Sequence, residues 1–95
     1  MDTKQIPIKA SDEDVKGVYA NGMTLWSSEE EFCLDFISAF PPVGALTARV
    51  ITSPGHLKRM VDLLSNALKK YEAEHGEVVP AEEPETSKIG FGKPE

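Results

Sequence analysis

The sequence predicts an α+β fold: a four-stranded antiparallel meander followed by one long C-terminal helix, in the order ββββα, with the helix on one face of the sheet. Three observations carry that prediction. Apolar residues alternate at a spacing of two through Phe32, Leu34 and Phe36, and again through Ala48 and Val50. Asn21-Gly22 stands between two short apolar stretches and suits the positive φ angles of a two-residue hairpin turn. Leu57, Met60, Val61, Leu64, Ala67, Leu68 and Tyr71 recur at three- and four-residue steps, the period of an amphipathic helix.

Taken in order, Val15 to Ala20 and Met23 to Ser27 are the two strands that the Asn21-Gly22 turn would join. A two-residue turn pairs Ala20 with Met23 and Val18 with Leu25, and it brings Tyr19 opposite Thr24 with Trp26 nearby. Ser27 and Glu30 have the spacing of a helix capping box, yet the apolar period that follows is two, so Glu31 to Ser38 reads as the third strand. Phe40-Pro41-Pro42-Val43-Gly44-Ala45 is a loop, since two prolines and a glycine exclude a regular element. The fourth strand runs from Leu46 to Thr52. Ser53 is a good N-cap, Pro54 suits the first helical position, and Gly76 ends the helix after His75.

Side-chain alternation divides the sheet into two faces. One carries Val18, Ala20, Met23, Leu25, Phe32, Leu34, Phe36, Ala48 and Val50, and the helix stripe is expected to cover it. The other carries Tyr19, Trp26, Cys33, Ile37 and Ile51 with the polar Thr24, Asp35 and Arg49. That second face is too apolar for water and predicts a partner. Asp35 and Arg49 are expected to form a cross-strand ion pair on it. The spacing suits a helix that packs on its own sheet or on a neighbour's.

Ninety-five residues make one small domain. Residues 1–14 and 77–95 are polar, acidic or proline-rich and are read as flexible ends, which leaves 15–76 as the folded part. A core of about sixty residues is marginal as a monomer, a second pointer to self-association. The net charge is −6. Residues 15–76 hold six basic and seven acidic groups, so most of the acidity belongs to the ends, where it opposes binding to nucleic acid or anionic membrane. A single cysteine excludes an internal disulfide and a cysteine-based zinc site. No apolar run approaches the roughly 20 residues that cross a bilayer. The N-terminus has no secretion signal, and a cytoplasmic location is expected.

Four motifs occur in order: Tyr19-Ala20-Asn21, Glu31-Phe32-x-Leu34-Asp35-Phe36, Arg49-Val50-x-x-Ser53-Pro54-x-His56-x-Lys58-Arg59, and Tyr71-Glu72-x-x-His75-Gly76. Over residues 18–79 they resemble a small prokaryotic family catalogued as domain of unknown function 3467. The resemblance implies no activity and transfers no catalytic residue. Met23-Thr24-Leu25-Trp26 departs from the plainer aliphatic strand expected of the family, so Trp26 is read as particular to this chain.

The residues do not assemble into a catalytic constellation. Ser53, His56 and Asp35 lack the nucleophile elbow and oxyanion motif of a hydrolase, and Ser53 is explained as a cap. His56 and His75 are about 28 Å apart along the helix, so one chain cannot bring both to one metal. His75 complements the helix dipole in the last turn. Nothing beside Cys33 would activate its thiol, and it is read as a small core or interface residue. No cofactor or metal is expected. The reading is therefore a non-enzymatic interaction module that forms a homodimer or small oligomer through Tyr19, Trp26, Cys33, Ile37 and Ile51.

A second reading pairs Tyr19 and Trp26 as stacking platforms with Lys58 and Arg59 as cations, a single-stranded nucleic-acid site. The ββββα order is similar to that of the PC-four type transcriptional coactivators, which dimerise and bind single-stranded DNA. His56, Lys58 and Arg59 at the helix start are the expected contact for any anionic group. In the tail, Ile89 and Phe91 between glycines have the composition of a short docking segment.

Overall fold

In the computed structural model, which describes residues 5–82, the alternation at a spacing of two does produce strands. β1 (Gly22–Ser27), β2 (Phe32–Ser38) and β3 (Ala45–Thr52) form one antiparallel sheet in the order β1-β2-β3. A short helix, α1 (Asp12–Lys16), precedes the sheet, and a long one, α2 (Pro54–His75), follows it. The fold is α+β, with three strands where the sequence predicts four.

The missing strand has a local cause. Ser11 caps α1, its hydroxyl accepting from the Asp14 amide while the Asp14 carboxylate accepts from the Ser11 amide. This capping box draws Val15 and Lys16 into a helical turn, and Gly17 closes it with φ +80°. Val18 and Tyr19 then lie exposed outside the sheet. Gly22 is the first residue of β1, and neither Asn21 nor Gly22 has the positive φ that the predicted hairpin requires.

Asn21 instead uses its side chain as a substitute peptide. Its amide oxygen accepts from the Ala39 N–H at 2.7 Å, and its amide nitrogen donates to the Ala39 carbonyl at 3.2 Å. Its own backbone N–H donates to the Ile37 carbonyl at 3.0 Å. The start of β1 is thereby fastened to the end of β2, with backbone groups beyond the ladder satisfied by a side chain.

The β1–β2 hairpin closes through Ser28, whose N–H donates to the Glu31 carbonyl while its hydroxyl accepts from the amides of Glu30 and Glu31. The predicted facial division of the three strands is as observed. Met23, Phe36 and Ala48 form one row, and Leu25, Leu34 and Val50 the next on the same face. Thr24, Asp35 and Arg49 form a row on the opposite face, beside Trp26, Cys33 and Ile51. The ladder shifts register after Phe36, so Ile37 meets Leu46, and the hydroxyl of Thr47 donates to the Phe36 carbonyl.

Burial is concentrated on β2. Cys33, Leu34, Asp35 and Ile37 are the buried residues among those described. Helix α2 begins as predicted: Ser53 caps it, its hydroxyl accepting from the His56 amide at 3.1 Å, with Pro54 in the first turn. At its end the Gly76 N–H donates to the Glu72 carbonyl, with φ +95° at the glycine. No residue of α2 is buried, and Leu57, Met60 and Glu72 are its half-buried members.

The expected covering of the sheet by α2 within one chain is thus not what the protomer does. Ser53 alone joins β3 to α2, in extended conformation, whereas strands and helices that fold back on each other ordinarily use about 2–6 connecting residues. The chain is correspondingly elongated: its radius of gyration is 16.8 Å, against about 12 Å for a compact domain of this length.

Candidate interaction surface

The sheet face bearing the predicted interface residues is built around one ion pair. Arg49 approaches Asp35 with both arms of its guanidinium, Nε to Oδ1 at 2.6 Å and Nη2 to Oδ2 at 2.8 Å. The pair follows from register, since β2 and β3 place the two residues directly opposite each other. Asp35 is buried while Arg49 keeps about half of its side chain in solvent. The hydrogen bond from Arg49 holds the Asp35 carboxyl below its ordinary range, and burial opposes that effect. The same contact raises Arg49.

Cys33 lies beside this pair, its thiol donating to Asp35 Oδ1 at 3.6 Å. Burial pushes the thiol pKa up, and the neighbouring Asp35 carboxylate pushes it further. A thiol so placed is a packing residue and hydrogen-bond donor, not an activated nucleophile.

Around this centre the five predicted interface residues separate into two groups. Cys33 and Ile37 are 2% exposed and already belong to the core of the protomer. Tyr19, Trp26 and Ile51 remain open to solvent. Trp26 and Ile51 share a row with Cys33. Tyr19 precedes the opposite end of β1, where its ring stacks on Phe40 with centroids 6.2 Å apart. The hairpin prediction that set Tyr19 and Trp26 side by side fails for this reason. The two rings mark the two ends of a strand about 14 Å long between Gly22 and Trp26.

The helix start is likewise more committed than its sequence suggests. The Ser53 hydroxyl is spent on capping. Arg59 donates to His56 Nδ1 at 3.0 Å, so two of the three predicted anion-contact residues engage each other. Lys58 is exposed on the same turns. At the far end, Tyr71 and His75 approach with ring centroids 4.6 Å apart, and Glu72 accepts from the Val78 amide. Among the described residues there is no group of three or more His, Cys, Asp or Glu side chains placed to hold a metal, and no helix is long and apolar enough to cross a membrane.

One uncovered apolar surface among the described residues is a surface that the sequence assigns to the core. On α2, Val61, Leu64, Leu68 and Tyr71 form a stripe whose members are 57, 65, 50 and 53% exposed. Met23, Leu25 and Val50 on the sheet face meant for that stripe are also open. Single exposed hydrophobes are ordinary, whereas these four recur at helical spacing along α2. Its signal in the sequence is the helical period itself, which shows that the stripe is apolar without showing what it meets.

The sequence pattern of a family described as a protein of unknown function, DUF3467, matches residues 1–79. The chain belongs to this family. The match includes all five secondary-structure elements and the four motifs, among them the Asp35–Arg49 pair and the Ser53 cap. No curated protein and no solved structure matches the chain. With three strands in place of four, the resemblance in element order to the PC-four type coactivators no longer holds. Ile89 and Phe91 lie outside the described residues.

Proposed function

We propose that this DUF3467 domain is a non-enzymatic interaction module that works as a homodimer or small homo-oligomer. One observation carries the reading: four residues of β2 are buried, while five large apolar residues of α2 are at least half exposed. Burying a large apolar side chain stabilises a fold by about 1.5–3 kcal/mol. A chain that leaves most of its helix stripe and much of a sheet face in water forgoes that contribution, and a second copy supplies it.

The polar groups near the helix start support the same reading, because Ser53 is used as a cap and Arg59 is engaged by His56. A cytoplasmic setting belongs to this proposal, since a lone reduced cysteine such as Cys33 is the ordinary state there. Light scattering on the full chain after size-exclusion chromatography tests it. A mass at or above twice 10.4 kDa at tens of micromolar supports self-association, and a mass of 10.4 kDa throughout overturns it.

A further inference from the structure

Self-association brings particular surfaces together, and their assignment rests on the self-association just proposed. Two apolar surfaces of the same chain lie uncovered, the α2 stripe and the sheet face of Met23, Leu25 and Val50. Their sizes correspond. From Val61 to Tyr71 the stripe runs about 15 Å at the helical rise. From the row Met23–Phe36–Ala48 to the row Ser27–Phe32–Thr52 the face runs about 14 Å at the strand rise. Three strands at their usual spacing are about 14 Å across, and a helix with its side chains is about 10–12 Å wide. One helix covers this face.

The helix of the same chain does not, because Ser53 is too short a connection to turn it back. We propose that two protomers exchange helices, each α2 lying across the Met23, Leu25 and Val50 face of the other. The arrangement is isologous: the contact made by one helix is repeated by its symmetry mate.

Coverage of both apolar surfaces favours exchange over simple pairing of two helices. A helix of 22 residues presents a strip about 33 Å by 10 Å, or roughly 330 Å². Two helices paired along their full length would bury about 700 Å² in total. Exchange is bounded by sheet faces of about 14 Å by 14 Å, and its two helix-on-face contacts bury roughly 800 Å² in total. It also leaves neither apolar surface in water, whereas helix pairing leaves both sheet faces exposed.

Isotope-filtered NMR on the full, unsubstituted chain tests this. A sample mixing methyl-labelled and unlabelled protomers is expected to give intermolecular contacts from the Leu64 and Leu68 methyls to Leu25 and Val50. Intermolecular contacts confined to helix residues would overturn exchange while leaving self-association intact. So would contacts from Ile89 or Phe91 of the same chain to Leu64, which would assign the stripe to the chain's own tail. A monomer by light scattering overturns both proposals.

An independent arm uses two variants in a Cys33→Ser background, Leu25→Cys and Leu64→Cys, treated with a short bismaleimide. Exchange predicts a covalent dimer in the equimolar mixture and loss of that product when either variant is treated alone. A covalent dimer from Leu64→Cys alone, equal in yield to that of the mixture, contradicts it.

Discussion

Replacing Leu64 by alanine separates a solvent-facing leucine from one that a partner covers. In the protomer Leu64 is 65% exposed, so only about a third of its transfer free energy is realised within one chain. Full burial of a leucine is worth about 1.5–3 kcal/mol, which leaves roughly 1–2 kcal/mol per copy to be gained on association. A symmetric dimer contains two copies, and the substitution therefore weakens it by about 2–4 kcal/mol, or about 30- to 1,000-fold in dissociation constant. Alanine is the best helix former, so α2 itself is not penalised. Sedimentation equilibrium on Leu64→Ala and on a control at the exposed Asn66, Asn66→Ala, measures the difference. A dissociation constant that is unchanged in Leu64→Ala, with helicity intact, would show that no partner covers Leu64.

Other consequences follow from the local chemistry. Asn21→Ala removes two partly buried hydrogen bonds to Ala39 and is expected to destabilise the fold by about 1–3 kcal/mol, read from the urea midpoint. Ser53→Ala removes the cap of α2 at a cost of about 0.5–2 kcal/mol, and Ser53→Asp is expected to retain most of it, both measured by thermal unfolding. Asp35 supplies a pH dependence. Arg49 lowers its native pKa below 3.8, so in the acid range the unfolded chain binds more protons than the native one. The stabilisation is complete above the unfolded pKa and is lost as pH falls through the native value. Arg49→Met is expected to move the Asp35 carboxyl titration to higher pH by NMR. An unmoved titration would show that Arg49 does not hold it down.

Much of this architecture was legible in the residues, for reasons that differ from element to element. The alternation from Glu31 to Ser38 and from Leu46 to Thr52 marked both strands to within a residue, with their faces, and with them the register that joins Asp35 to Arg49. Ser53-Pro54 and Gly76 marked the ends of α2 because capping is a local interaction. Asn21-Gly22 misled for the opposite reason. Its turn propensity is local, but the Asn21 side chain is used eighteen residues away, on Ala39, where no short-range pattern points. The same distinction explains Cys33 and Ile37, placed on the correct face yet already buried in the protomer. Periodicity tells which side of an element is apolar. What covers that side is decided by connection lengths, here the single residue Ser53.

On the proposed reading, a second copy completes the burial that one chain lacks. Folding and association are then coupled, and mass action makes stability depend on concentration. The most direct measurement is the thermal unfolding midpoint of the full chain as protein concentration is varied from micromolar to hundreds of micromolar. A midpoint that rises with concentration is expected. A midpoint independent of concentration, together with a mass of 10.4 kDa, would contradict it.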